Sequence, residues 1–182
     1  MLLMEISKRT LWDSDKEIFI NIESQSLQLE HSLFSVSKWE SKYKKSFFKT
    51  ENKTIDETLY YINCMNVLDT VIEPTVLYSL YQSELNEISK YIEEPMTATI
   101  ISKKNKPSRD IITSEIIYYW MICLEIPFEC DHWHLSRLLM LIDVCGIKNE
   151  ESQGKSKMSK NDVLARNAKL NASRRAAGNS KG

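Results

Sequence analysis

The sequence predicts an α+β fold, predominantly helical, with an N-terminal β-hairpin, a helical core and a basic C-terminal arm. Three observations predict it. Residues 17–34 alternate polar and apolar with the period of a half-buried strand. Segments between residues 54 and 145 carry apolar stripes at helical spacing. Charge also separates late in the chain: residues 1–152 hold 16 Lys/Arg against 24 Asp/Glu, a net of −8, whereas 153–182 hold eight against one, a net of +7. With 182 residues, 42% hydrophobic and 27% charged, there is material for one domain with a real core, expected over 1–152, followed by the arm at 153–182.

The elements follow in order. "EIFINI" (17–22) and "SLQLEHSLFSV" (26–36) each place apolar side chains on one face, and "ESQS" between them reads as a turn, so a hairpin is expected over 17–34. Trp39 and Tyr43 lie one helical turn apart among Lys38, Lys42, Lys44 and Lys45, which predicts a short amphipathic helix. "TIDETLYYINCMNVL" (54–68) opens with Thr54 and carries Glu57 three residues later, a capping box, with a stripe of Ile55, Leu59, Ile62 and Met65 or Asn66. Residues 73–95 start at Pro74 and stop before Pro95, with Ser83, Asn86 and Glu87 suggesting a break into two helices. Residues 97–101 and 110–113 are richer in β-branched side chains and predict a second hairpin.

Two helices should then pack together: 114–126, apolar nearly all round, and 131–145, with Asp131 as N-cap and Gly146 as the stop. "KNEESQGK" reads as a linker. The segment beyond it has a thin apolar side of Val163, Leu164, Ala168 and Leu170, a marginal helix.

Chemical candidates cluster at "FECDHWH". A zinc site would draw on Cys130, His132 and His134, with Cys123 or Asp131 as fourth ligand. Histidines two apart on a helix diverge by about 200°, which argues against one ion between them. A thiolate nucleophile lacks an electropositive setting, and Glu125, Glu129 and Asp131 are simply explained by a helix start. Neither phosphate-loop motif is present, and glycines occur only at 146, 154, 178 and 182. No cofactor or metal is therefore expected. The four cysteines read as reduced buried thiols, and neither a signal peptide nor an apolar run of about 18–20 residues is seen.

The segments "SKWESKYKKSF" (37–47), "PMTATI" (95–100), "TSEIIYYWMICLEIPFECDHWHLSRLLMLIDVC" (113–145) and "KMSKNDVLARNAKLNASRRAAGNSKG" (157–182) resemble a family of tailed-bacteriophage tail assembly chaperones. The resemblance implies a non-enzymatic virion morphogenesis protein in the host cell cytoplasm. It would bind the long helical tail tape measure protein and help recruit tail tube protein around it, and it leaves room for a homo-oligomer. No catalytic residue carries over. Trp39, Tyr43, Trp133 and Arg137, with Arg166, Lys169, Arg174 and Arg175 of the arm, are the candidate partner-binding residues. A second reading makes those arm residues phosphate contacts of a nucleic-acid-binding regulator. It stands behind the first, because the arm lacks interleaved aromatics and residues 1–152 are acidic.

Overall fold

Four strands between residues 2 and 29 form a two-stranded antiparallel ribbon. In the computed structural model, which describes residues 1–14, 16–68, 71–101, 111–156, 164 and 168–169, strand β1 (Leu2–Ile6) pairs with β4 (Gln25–Leu29), and β2 (Arg9–Asp13) pairs with β3 (Ile18–Ile22). Partner numbers sum to 31 in both pairs, so the register is continuous across the gap at Ser7–Lys8 and Glu23–Ser24. The hairpin is thus longer than expected and its turn lies elsewhere. "EIFINI" pairs with "RTLWD", not with "SLQLE", and "ESQS" sits at mid-ribbon. The opening "LLMEI", whose Leu2, Met4 and Ile6 alternate as well as any segment, supplies the missing strand.

The buried face changes along the ribbon. Near the body Met4, Ile6, Leu27 and Leu29 are buried; beyond the gap the buried side chains are Arg9 and Ile22, of opposite parity on each strand. The strong right-handed twist of two-stranded ribbons lets one register present both faces in turn. Opposite the buried side of the outer half stand three cross-strand pairs: Lys8–Glu23, Thr10–Asn21 and Trp12–Phe19, the last with ring centroids 4.8 Å apart. Arg9 anchors this half. Its guanidinium makes a bidentate pair with Glu84 at 2.7 and 2.9 Å, donates to the Ser79 carbonyl and lies 4.1 Å over the Tyr81 ring.

Helix α1 (Leu33–Tyr43) starts at Ser32, whose hydroxyl accepts from the Ser35 N–H, and ends at Lys44 in the left-handed region at φ 55°. Helix α2 (Ile55–Cys64) has the expected Thr54/Glu57 capping box. Leu59, Ile62 and Met65 of its stripe are buried, but Ile55 is 75% exposed because it lies in the first turn. The 73–95 segment does divide, into α3 (Pro74–Tyr78) and α4 (Gln82–Glu93), with the break at Ser79–Tyr81 rather than near Asn86. Glu84 closes a box with the Tyr81 N–H, which starts α4 there.

Among the described residues, 97–101 and 111–113 contain no strand, so the second hairpin is not seen in them; 102–110 lie outside the described residues. Helix α5 (Ser114–Cys123) buries Ser114, Ile117 and Met121 yet leaves Tyr119 and Ile122 62% and 61% exposed, so it is not enclosed on most sides as expected. Its N-terminus is held by Glu40, a buried carboxylate accepting from the Ser114 N–H and hydroxyl and from the Phe47 N–H.

A short 3₁₀ turn (Phe128–His132) precedes α6 (Leu135–Ser156). Asp131 is therefore not the N-cap. His134 occupies that place, its carbonyl accepting from the Arg137 and Leu138 N–H groups and its Nδ1 from the Ser136 N–H. Gly146 does not stop α6, and "KNEESQGK" is helical, not a linker, to Ser156. One helical glycine costs only about 1 kcal/mol, and no described glycine adopts the positive φ of a helix-ending residue. The chain divides into two compact units, Met1–Asp143 and Val144–Gly182. Among the described residues no helix is long and apolar enough to cross a membrane.

Candidate functional site

Within the first unit the start of α1, the end of α2, residues 65–68 and Val71 enclose a cleft of about 470 Å³. Residues 65–67 run along the free edge of β4, with Glu30 N–H donating to the Met65 carbonyl at 2.8 Å and Val67 N–H to the Gln28 carbonyl at 2.9 Å. This fixes Met65, Val67 and Leu68 as an apolar side of the cleft. Phe34, Lys38, Tyr60 and Cys64 line it from the two helices.

Cations decorate this region in a regular way. Phe34, Lys38 and Lys42 recur every fourth residue on the exposed side of α1. The Lys38 ammonium lies 4.2 Å over the Phe34 ring and the Lys42 ammonium 3.8 Å over the Tyr60 ring. His132 packs edge-on against Phe34 at 4.8 Å and pairs with Asp131. Cys64 is buried beneath them. Burial pushes its thiol up to about 11, against the opposing pull of Tyr60 and the two lysines, so it is held as a neutral thiol.

Behind the cleft lies a buried polar cluster. His31 Nδ1 and the Tyr61 hydroxyl share a hydrogen bond, and the His31 ring meets His134 edge-on at 5.2 Å. His134 Nε2 contacts the Tyr91 carbonyl at 3.1 Å, and the Tyr91 hydroxyl donates to Glu30, which also pairs with the Met1 amine. Burial, reinforced by His134, lowers His31 to about 3; burial also lowers His134, opposed by the Tyr91 carbonyl and Glu30. Both imidazoles are thus neutral near pH 7. The backbone is joined at the same point, with Leu135 N–H donating to the His31 carbonyl at 2.7 Å. Among the described residues no buried side-chain nitrogen or oxygen lacks a hydrogen-bond partner.

The residues singled out from sequence are dispersed. Trp39 is fully buried and donates to the Glu57 carbonyl, so it is a core residue and not a partner contact. Tyr43 is half-buried against it. Trp133 and Arg137 do come together, the guanidinium 4.1 Å over the indole, with Trp133 half-buried and Arg137 exposed. Lys169 is exposed, while Arg166, Arg174 and Arg175 lie outside the described residues. Cys130 is buried, His132 exposed, and His134 turned towards Tyr91 and His31. Among the described residues no group of three or more His, Cys, Asp or Glu side chains is placed to hold a metal ion.

Phe34 and Tyr60 do not stand out in the sequence, because Trp39 is the larger ring beside them. The four-residue spacing of Phe34, Lys38 and Lys42 was a usable signal. Comparison with family models, with curated proteins and with solved structures finds no match.

Proposed function

We propose that the chain is a non-enzymatic tail morphogenesis protein, a tail assembly chaperone that binds the tape measure protein and helps recruit tail tube subunits. The observation that supports this reading is the amount of large apolar surface left open to solvent. Phe19 and Trp12 pair at the outer end of the ribbon at 71% and 53% exposure, and Tyr119 and Ile122 form an outward row on α5. Contiguous exposed aromatic and aliphatic groups mark surfaces for protein contact. A chaperone for a long amphipathic helical protein requires such surface, because its client cannot bury its own apolar stripe until the tube assembles.

The test is co-expression with the longest helical tail protein encoded nearby, followed by pull-down with and without residues 153–182. The expected result is that the long protein becomes soluble and is retained. If it stays insoluble and nothing is retained, the proposal is overturned, and steeply salt-dependent DNA binding would then favour the nucleic-acid reading.

A further inference from the structure

Among the described residues, the cleft beside α1 carries positive charge that no carboxylate pairs, in a region that is acidic as a whole. Residues 1–152 have a net charge of −8, yet the described surface of α1 exposes Lys38 and Lys42 with no acidic neighbour on the helix, since Glu40 is buried. Two described carboxylates, Glu30 in the lining of the cleft and Asp131 next to His132 of that lining, already have partners. Glu30 is held by the Tyr91 hydroxyl and the Met1 amine, and Asp131 by the Tyr118 hydroxyl and His132. Among the described residues neither lysine has a carboxylate within 4.0 Å, whereas Lys8, Lys16, Lys45 and Lys148 all do. The two ammonium groups rest on aromatic rings instead, which leaves N–H donors facing outward.

Spacing adds a second constraint. Four residues along α1 separate the lysines by about 6 Å of helix rise, and carboxylates at i and i+4 on another helix are separated by the same distance. Next to them the cleft offers Phe34, Met65, Val67, Leu68 and Val71 as apolar walls. A helix lying along α1 can therefore place two acidic side chains on Lys38 and Lys42 while it lowers an apolar side chain into the cleft.

We infer that this cleft is a docking site for an acidic amphipathic helix of a protein partner, its carboxylates meeting Lys38 and Lys42 and its leucine-type side chains entering between Phe34 and Val71. The inference rests on the chaperone reading for the partner's identity, but not for the chemistry of recognition. Two ion pairs on a partly apolar surface give salt-sensitive, reversible affinity, which suits a contact that must later be released.

The probe is a pair of fluorescein-labelled helical peptides with the same leucine stripe, flanked by glutamates in one and by lysines in the other. Anisotropy titrations use the full chain at low salt. The glutamate peptide is expected to bind about tenfold more tightly or better, a preference that fades towards 0.5 M salt. The double variant Lys38→Glu/Lys42→Glu should invert the preference, and Val71→Asp, at a lip position 78% exposed, should weaken the glutamate peptide alone. Lys90→Glu, exposed on α4, should change nothing. No binding of the glutamate peptide, or a preference that survives the double reversal, overturns the inference. If the peptides behave as expected but the tape measure protein is not solubilised, the chaperone reading fails and the cleft stands.

Discussion

Helix α1 builds two lysine–aromatic clusters from the same chemistry, and they meet opposite fates. On one side Lys53 sits 4.1 Å over the Phe47 ring and 5.6 Å from Trp39, its ammonium donating to the Phe47 and Thr50 carbonyls, and burial lowers its pKa. On the other side Lys38 and Lys42 lie over Phe34 and Tyr60, and among the described residues neither amine has a hydrogen-bond acceptor. The difference lies under the rings. Trp39 has α2 beneath it and a carbonyl for its indole N–H, so it enters the core and its cation is captured by nearby backbone. Phe34 borders a cleft, so its cation stays outside. Composition alone does not separate structural from available aromatic groups; the presence of a polar partner for the indole does.

The largest expected effect tests that contrast directly. Trp39→Ala should cost about 3–5 kcal/mol of folding stability, as for a large ring removed from a packed core, while Phe34→Ala should cost about 1 kcal/mol or less. Urea denaturation of both variants measures it. If the two substitutions prove equally costly, Phe34 is part of the core and the cleft is not a free surface.

Acid should distinguish the two sides next. Behind the cleft, His31 and His134 face one another, with Glu30, Glu94, the Met1 amine and the Tyr61 and Tyr91 hydroxyls around them. Their folded pKa values lie below the unfolded value near 6.5, His31 at about 3. Protonation therefore favours the unfolded chain: stability is undiminished above pH 6.5 and falls as pH drops from there towards 3. For His31 the loss is about 1.4 kcal/mol per pH unit through that window, so about 2 kcal/mol at pH 5. His31→Asn should flatten the dependence of the urea midpoint between pH 7 and 5. An unchanged slope would mean that other groups carry the acid sensitivity.

Much of this was legible in the residues and some was not. The α2 capping box and the division of 73–95 follow local rules that the chain obeys. The ribbon register differs from the expected one because "ESQS" has turn composition, and turn composition permits a turn without requiring one. The choice is made by the pairing of "LLMEI" with a strand 19 to 27 residues away. Gly146 and the "KNEESQGK" stretch do not stop the helix, because a single glycine costs only about 1 kcal/mol and Lys148, Glu150, Glu151, Gln153 and Lys155 are good helix formers. His31 could not be placed at all from sequence, since its role depends on α6 arriving beside α1.

A smaller effect concerns the open cluster itself. Lys38→Ala with Lys42→Ala removes the cation–π contacts of both lysines with Phe34, Tyr43 and Tyr60 and should lower stability by only about 1 kcal/mol in total, while abolishing discrimination between acidic and basic peptides. A drop comparable to that of Trp39→Ala would show that these lysines serve the fold and are not available to a partner.

The smallest expected change lies where the two sides of α1 converge, at Lys44. Its φ of 55° is one that a side chain with a Cβ adopts at a cost, and its N–H closes the helix on the Glu40 carbonyl. Lys44→Gly removes the steric penalty but adds freedom to the unfolded chain, so the net gain should be about 0.5 kcal/mol. The substitution also deletes a cation that helps hold Glu115 below the usual carboxylate range, after its backbone and hydroxyl hydrogen bonds. That charge contribution is screened by salt, whereas the backbone term is not. Stability of the variant should therefore exceed that of the parent more clearly at high salt than at low salt. A loss at every ionic strength would mean that Lys44 belongs with the captured cations of the core side and not merely at the end of the helix.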